Sequence, residues 1–487
     1  MNPAQEFAAR PHRLLIGGEW VESRGEPLPV IDPATAEPVG AIPGGTVEDV
    51  DAAVAAAHKA MRSAAAGWRP AERGAKLWAL ADAVEAHAEE LAQLETLDVG
   101  KPIANARRID VPGAAAALRY FAGWAGKIGG ETMEMSAPGG WHAYTVREPV
   151  GVAGQIVPWN YPLMGAASKI APAIAAGCAV VLKPAEQTSL ATLRLGELIG
   201  DVGFPPGMIN IVTGTGPVVG AALVRHPDIA KISFTGSTAT GRFIVAETAA
   251  TMKRVTVELG GKSPVVVLPD ADLDAAARAI AIGIFLNTGQ TCSAGSRLFV
   301  HRSIADELVA KVHAHGAAMR IGVPLDPTTQ IGPVTSQQHL AKVTAFIDEA
   351  RDAGATILGG GRGGMTHGYY IAPTVLCDLD TGSPAATEEI FGPVLSVLPF
   401  ETCDLDEIAE LANATTYGLA AYIWTRDLAT AHGLIQRLKA GTVRVNAFGG
   451  NDFAMPVGGM KQSGFGRENG RAGVEAYTEL KSVTLAY

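Results

Sequence analysis

The sequence predicts an α/β protein: two doubly wound parallel-sheet domains with a small β flap. Three observations lead there. From Gly151 onward, short apolar runs of strand length alternate with helical stretches, the pattern of a parallel sheet covered on both faces. A second series of the same kind begins near Ala275. Between the N-terminal helices and the first series, the segment from Ile128 to Arg147 breaks the pattern. There Thr132, Tyr144, Thr145 and Val146 lie in extended-looking stretches about the turn Pro138-Gly139-Gly140, which reads as an inserted hairpin. A chain of 487 residues is long for one core, so two or three domains are expected.

Taken in order, Thr46 caps a helix on which Val47, Val50, Val54, Ala57 and Met61 recur at helical spacing on one apolar face. A second long helix is expected over 72–98. Strands follow at 152–157, 179–182, 209–212, 232–234 and 255–259, with helices over 163–176 and from the cap Ser189 through Ile199. The second series runs through a helix over 275–286, a strand at 298–300, helices from Ser303 and from Gln337, and a last strand at 443–446. One glycine pattern is a decoy. Gly359, Gly361 and Gly364 satisfy G-x-G-x-x-G after a strand-like run. The residues beyond them lead into another extended stretch, and the fingerprint needs a helix N-terminus to face a pyrophosphate. A surface loop is expected.

Composition excludes several functions. The apolar fraction is 48% with only 6% aromatic residues, and the net charge is −10 with lysines and arginines dispersed. No basic footprint for nucleic acid or anionic membrane is present. The longest apolar stretch, 170–182, is too short to span a bilayer and contains Pro172. The start, Met1-Asn2-Pro3-Ala4-Gln5-Glu6, has neither the basic nor the apolar region of a signal peptide. A soluble, cytoplasmic protein is expected. The eleven histidines show no metal-ligand spacing, and no metal is expected.

Four cysteines lack any Cys-x-x-Cys pairing, which argues against a zinc site or a disulfide framework. Cys178 opens an apolar run and reads as a buried small hydrophobe. Cys377 and Cys403 each precede Asp-Leu-Asp and read as element ends. Cys292 alone lies among small, turn-prone neighbours, Gly289-Gln290-Thr291-Cys292-Ser293. Thirty residues upstream, Val257-Glu258-Leu259-Gly260-Gly261-Lys262 offers a carboxylate where an apolar strand breaks into glycines. A thiolate attacks a carbonyl, and a nearby carboxylate can activate the water that releases the product. By themselves these residues leave the matter open: Glu258 reads equally as a partner of Lys262, and Asn160 as a turn former before Pro162.

Six runs together alter that balance. Pro158-Trp159-Asn160-Tyr161-Pro162, Lys183-Pro184-Ala185-Glu186, Phe234-Thr235-Gly236-Ser237, the Cys292 and Glu258 segments, and Glu389-Ile390-Phe391-Gly392-Pro393 resemble the aldehyde dehydrogenase superfamily. The likeness extends from Ile16-Gly17-Gly18 to Gly464-Phe465-Gly466-Arg467-Glu468 and looks strongest toward the phenylacetaldehyde and betaine-aldehyde branches. It implies Cys292 as nucleophile, the Asn160 amide as an oxyanion donor beside the Cys292 N–H, and Glu258 as the hydrolytic base. Lys169 and Glu468 match proton-relay positions. For NAD it implies an atypical Rossmann site. In it Lys183 and Glu186 face the adenosine ribose, and Gly216 and Gly220 let the backbone approach. Val157, Trp159, Phe234, Thr235, Gly236, Ser237 and Leu259 line the path, and Glu389 and Phe391 meet the nicotinamide ribose and ring. A carboxylate at Glu186 repels a 2′-phosphate, so NAD is expected over NADP.

The same resemblance lines a substrate tunnel with Tyr161, Met164, Ser168, Phe285, Leu286, Thr291, Ser293, Asn451, Phe453 and Val457. Ser168 and Val457 stand where relatives often carry Trp and Phe, so a wider, largely apolar tunnel for medium-sized apolar or aromatic aldehydes is expected. Betaine aldehyde or an aminoaldehyde is the alternative. His339 falls where many relatives carry Gln and is left without a role. The implied division assigns residues 1–127 and 150–260 to cofactor binding, 261–465 to catalysis, and 128–149 with 470–487 to an oligomerisation flap. Exposed edge strands need partners, so a homodimer or homotetramer is expected. Two competing readings remain. A CoA-acylating semialdehyde dehydrogenase typically lacks the hydrolytic glutamate, and a non-catalytic NAD-binding relative would have lost Cys292, Glu258 or Asn160.

Overall fold

The computed structural model describes residues 3–64, 68–450 and 452–487. Its largest sheet has eight strands, ordered Gly464–Phe465, Arg254–Glu258, Lys231–Thr235, Val152–Ile156, Ala179–Lys183, Ile209–Ile211, Leu14–Ile16 and Glu19–Val21. The five central strands pair in parallel. Both edges close with antiparallel pairs. A seven-stranded sheet follows, ordered Thr356–Gly359, Thr374–Cys377, Val394–Phe400, Arg297–His301, Pro264–Val267, Ala420–Trp424 and Thr442–Val445. It is parallel apart from its first pair. The fold is therefore the expected α/β one, with two parallel-sheet units and a small antiparallel sheet.

Burial explains the parallel pairing. Val180, Val181 and Leu182 are fully buried, as parallel strands covered on both faces require. Each such side chain contributes roughly 1.5–3 kcal/mol relative to exposure. The helix Pro162–Ala176 lies against this sheet with almost its whole length buried. The hairpin strands Thr132–Met133 and Trp141–Pro149 join the C-terminal strand Thr478–Ala486 in a separate three-stranded sheet. Of the decoy glycines, Gly359 ends the strand Thr356–Gly359, and Gly361 and Gly364 lie in the turns after it, which lead into no helix.

Several local expectations are corrected. The helix expected over 72–98 is two helices, Pro70–Ala86 and Ala88–Val99. His87 leaves helical geometry at φ −107°, and its Nδ1 bonds the Ala83 carbonyl 2.9 Å away, which already accepts the His87 N–H. Val47 stands 48% exposed, although Val50, Val54 and Ala57 are buried. As the first residue of Val47–Ala64, it precedes the packed turns. Thr46 does form the expected cap, its hydroxyl accepting from the Asp49 N–H at 3.3 Å while the Asp49 carboxylate accepts from the Thr46 N–H at 2.9 Å. Ser189 does not cap with its side chain, which donates instead to Ala185 O. Asp98 supplies the cap from another helix, its Oδ2 accepting from the N–H groups of Leu190 and Ala191 at 2.8 and 3.3 Å. A two-stranded ribbon, Leu28–Asp32 with Glu37–Ile42, was not anticipated.

Among the described residues, no helix is long and apolar enough to cross a membrane.

Candidate active site

The strand Val152–Ile156 delivers Val157 to Tyr161 into a turn that opens the helix Pro162–Ala176. Asn160 is buried there, and its Nδ2 donates to Gln290 O at 3.0 Å. That bond uses one of the two amide hydrogens and ties the turn to the Cys292 loop. The loop itself follows a tight turn in which Asn287 and Thr288 adopt φ values of 51° and 55°. Tyr161 reinforces the link, its hydroxyl 2.9 Å from Thr291 Oγ1.

Glu258 ends the strand Arg254–Glu258, and two glycines then let other segments press close. A Cβ on Gly260 would lie 2.4 Å from the Glu389 carboxylate, and one on Gly261 would lie 2.6 Å from Cys292 O. The Gly261 N–H donates to Glu389 Oε1 at 2.8 Å. Glu258, Glu389 and the cysteine loop are thus brought together because no side chain intervenes at those glycines.

The electrostatics of this corner are unusual. Glu258 is buried, and its Oε1 has no hydrogen-bond partner. Burial raises its carboxyl well above the usual range, and the neighbouring Glu468 adds to the shift against opposition from Lys169 and Arg467. Lys262 is not its partner, because the Lys262 ammonium is itself buried and unpartnered. Lys169 donates to Ser233 Oγ at 2.9 Å and pairs with Glu468. Ser233 in turn donates to Glu468 at 3.0 Å. Cys292 is partly exposed, and its thiol is pushed up to about 12 by burial and then by Glu389 and Glu258.

A second cluster lies at the carboxyl ends of the first sheet, where open α/β sheets bind ligands. Lys183 ends its strand buried, with Nζ 3.1 Å from Glu186 Oε2 and 2.9 Å from Pro184 O. Burial lowers the lysine, and Glu186 opposes that shift. A Cβ on Gly220 would sit 3.7 Å from the Lys183 side chain, and one on Gly216 would meet nothing within 4 Å. Ser237 caps the helix Thr238–Thr248 through Thr240 N–H, and Gly236 N–H donates to Glu258 O at 3.0 Å. Phe234 and Leu259 are buried, and Thr235 is half-buried. Val157 is buried, its N–H on Lys183 O at 3.1 Å. A half-exposed carboxylate over open backbone suits a ribose diol, so these residues fit a dinucleotide. Between the two clusters, Trp159 stacks edge-on with Phe391 at 5.3 Å and with His339 at 5.2 Å.

Against this geometry, the family model for the aldehyde dehydrogenase family matches residues 20–483. The chain belongs to that family. It is 44% identical to phenylacetaldehyde dehydrogenase of Pseudomonas fluorescens, covering 100% of this chain and 98% of the relative. Identity to betaine aldehyde dehydrogenase of Cereibacter sphaeroides is also 44%, covering 96% of each. The NAD+ complex of aldehyde dehydrogenase from Bacillus cereus superposes with a TM-score of 0.97 at 43% identity, over 100% of this chain and 99% of that one.

Within this aldehyde dehydrogenase, the residues expected to line a tunnel are placed unevenly. Met164 and Ser168 sit four apart, both half-buried, on the same face of Pro162–Ala176. Leu286, Thr291, Ser293, Phe453 and Val457 are half-buried as well. Phe285 departs from expectation. It is fully buried in the core of the second sheet, its ring over Gly316, because its helix turns it toward that core. Asn451 lies outside the described residues.

The structure also adds residues that the sequence reading missed. Lys101 donates to Asn160 O at 2.9 Å. Tyr422 donates to Ser293 O at 2.7 Å, and Arg444 lies 3.5 Å from the Tyr422 hydroxyl. Arg297, the nearest arginine along the chain, is instead spent on Lys262 O and Ala412 O. Ser463 accepts from Gly418 N–H and donates to Gly260 O at 2.6 Å, fastening the glycines below Glu258. His339, left without a role, has its Nε2 2.7 Å from Phe391 O, with burial lowering its pKa to about 4. Only Gly100-Lys101-Pro102 carried a visible signal, a lysine inside a turn-forming run.

Proposed function

We propose that this protein oxidises aldehydes to carboxylic acids with NAD through a covalent thioester on Cys292. In this mechanism Cys292 Sγ adds to the aldehyde carbon once its proton has left, and the second Asn160 amide hydrogen with the Cys292 N–H receives the oxyanion. NAD, when bound, supplies the hydride acceptor. Collapse leaves a thioester on Cys292. Glu258 then takes a proton from water, the water oxygen bonds to the acyl carbon, and the C–S bond breaks, so that the acid is released and Cys292 leaves as the thiolate. Lys169 and Glu468 pass the proton from Glu258 toward solvent. Residues 1–127 and 150–260 hold the cofactor, and 261–465 carry the nucleophile. The strands in 128–149 and 470–487 pair copies into a homodimer or homotetramer, and the protein works in the cytoplasm.

One observation carries this reading. Glu258 presents an unpartnered, buried carboxylate oxygen whose pKa is raised by burial, on a strand end that abuts the cysteine loop. That is the state of a base waiting for a proton.

The half-buried Met164, Ser168, Phe453 and Val457 support medium-sized apolar or aromatic aldehydes as substrates. The 44% identity to a betaine aldehyde dehydrogenase favours a second reading, a cationic aldehyde. A panel spanning phenylacetaldehyde, hexanal and betaine aldehyde, assayed for NADH with and without CoA, separates them. The acid should form without CoA, fastest from the aromatic or aliphatic members. A strict CoA requirement would remove the hydrolytic role of Glu258. In the same panel Glu186→Gln should improve NADP use relative to NAD, and a wild type using both equally would sink the ribose assignment.

A further inference from the structure

Behind the Asn160 turn sits a charged cluster that no step above uses. Lys101 is fully buried, and its ammonium meets three acceptors at once: Asp110 Oδ1 at 2.5 Å, Glu95 Oε1 at 3.1 Å and Asn160 O at 2.9 Å. An ammonium has three N–H bonds, so every donor is engaged. It also lies 4.3 Å over the Tyr161 ring. Glu95 Oε2 accepts from the Leu163 N–H at 3.3 Å, so the cluster grips the chain on both sides of Pro162. Asp110 reaches Lys101 from a widened, π-type turn, Ala106–Asp110, a feature frequent at functional sites.

The same carbonyl links to the cysteine loop. Asn287 Nδ2 donates to Asn160 O at 3.3 Å and to Gln290 O at 3.2 Å. Gln290 O also receives the Asn160 amide. Asn160 is therefore held through its backbone by Lys101 and through one amide hydrogen by the loop, which leaves the other hydrogen a single direction. A buried ion cluster is a poor means of gaining stability, since apolar residues of similar volume often do as well. What it offers here is three directed bonds converging on one turn.

We propose that Lys101 is the positioning residue of the oxyanion turn, fixing the Asn160 carbonyl so that the free amide hydrogen points at the developing oxyanion. This rests on the assignment of Asn160 as oxyanion donor. Single-turnover NADH formation at saturating NAD and aldehyde tests it in Lys101→Met, Lys101→Arg, Asn160→Ala and the Lys101→Met/Asn160→Ala pair. Removing an oxyanion donor outright costs about a hundred- to a thousandfold, so misaiming one should slow Lys101→Met by about thirty- to a hundredfold. KM and NAD affinity should stay near wild type, and arginine should restore part of the rate. In the Asn160→Ala background, Lys101→Met should cost little more, because the amide it aims is gone. If Lys101→Met does not fold, Glu95→Gln/Lys101→Met/Asp110→Asn, which leaves no unpaired charge, replaces it in the same cycle.

A full, additive loss in the Asn160→Ala background would overturn the proposal while leaving the Asn160 reading intact. So would a loss confined to KM, which would place the action on the Tyr161 wall. Near-wild-type hydride transfer by Asn160→Ala alone would overturn both.

Discussion

Two thiols, one buried and one part-exposed, set the chemistry of this chain in relief. Cys178 lies fully buried between the helix Pro162–Ala176 and the strand Ala179–Lys183, its Sγ 3.3 Å from Tyr477 O. Burial pushes its thiol up to about 11. Cys292 is part-exposed in a loop, yet its thiol is pushed as high, to about 12, by burial and by the carboxylates of Glu389 and Glu258. Acidity in the unliganded protein therefore does not single out the nucleophile. Access and company do separate the two: Cys178 is sealed against a backbone carbonyl, whereas Cys292 is part-exposed beside the carboxylates of Glu389 and Glu258.

The largest effect expected sharpens this contrast. Cys292→Ala should abolish NADH production with NAD affinity near wild type, because the thiol does chemistry and adds little cofactor contact. Cys178→Ala should leave turnover within about twofold and cost roughly 1 kcal/mol of stability, the usual scale for a small core truncation. Residual aldehyde oxidation of more than a few per cent in Cys292→Ala would move the nucleophile elsewhere.

Glu258 comes next, since it is the neighbour that Cys178 lacks. In Glu258→Gln the amide cannot take a proton, so thioester hydrolysis should slow by about a hundred- to ten-thousandfold. Rapid mixing should give a burst of at most one NADH per site, with an acyl mass on Cys292. The raised carboxyl of Glu258 fixes the sign of the pH profile. Turnover should climb as pH rises through a value above the ordinary carboxylate range, because the base works only once deprotonated, and the glutamine variant should lose that limb. A slow variant with neither burst nor adduct would place Glu258 before hydride transfer.

Much of this was legible in the chain because strand ends and glycines are local signals. Short apolar runs marked the parallel strands within a residue or two at each end, and Glu258-Leu259-Gly260-Gly261 announced a place where backbone comes close. Ser463 and Tyr422 were not legible, and of Lys101 only the turn-forming run around it was, not its partner. Each acts through a contact dozens to hundreds of residues distant, with a backbone carbonyl or amide as its partner, and backbone partners leave no trace in residue type. Phe285 departs for a related reason: which way a helix-end side chain turns depends on the core it meets, here the second-sheet core at Gly316. His87 shows the limit for helices, where one side-chain bond to Ala83 O divided a pattern that periodicity reads as continuous.

The smallest effect expected tests the comparison at its root, the shared high pKa of the two thiols. With the NAD-free protein and iodoacetamide, only thiolate reacts. For a thiol near 12, the reactive fraction at neutral pH is minute and should grow about tenfold per pH unit. Cys403 is exposed and should label first. Cys292 should label more slowly at pH 7 and gain about tenfold between pH 7 and 8 and again between 8 and 9. Cys178 should stay unlabelled until denaturant opens the core, since its protection is steric as well as electrostatic. Site-resolved mass spectrometry of timed samples reads all three rates at once. Fast, pH-independent labelling of Cys292 near neutrality would break the comparison, because the unliganded fold would then already hold a thiolate.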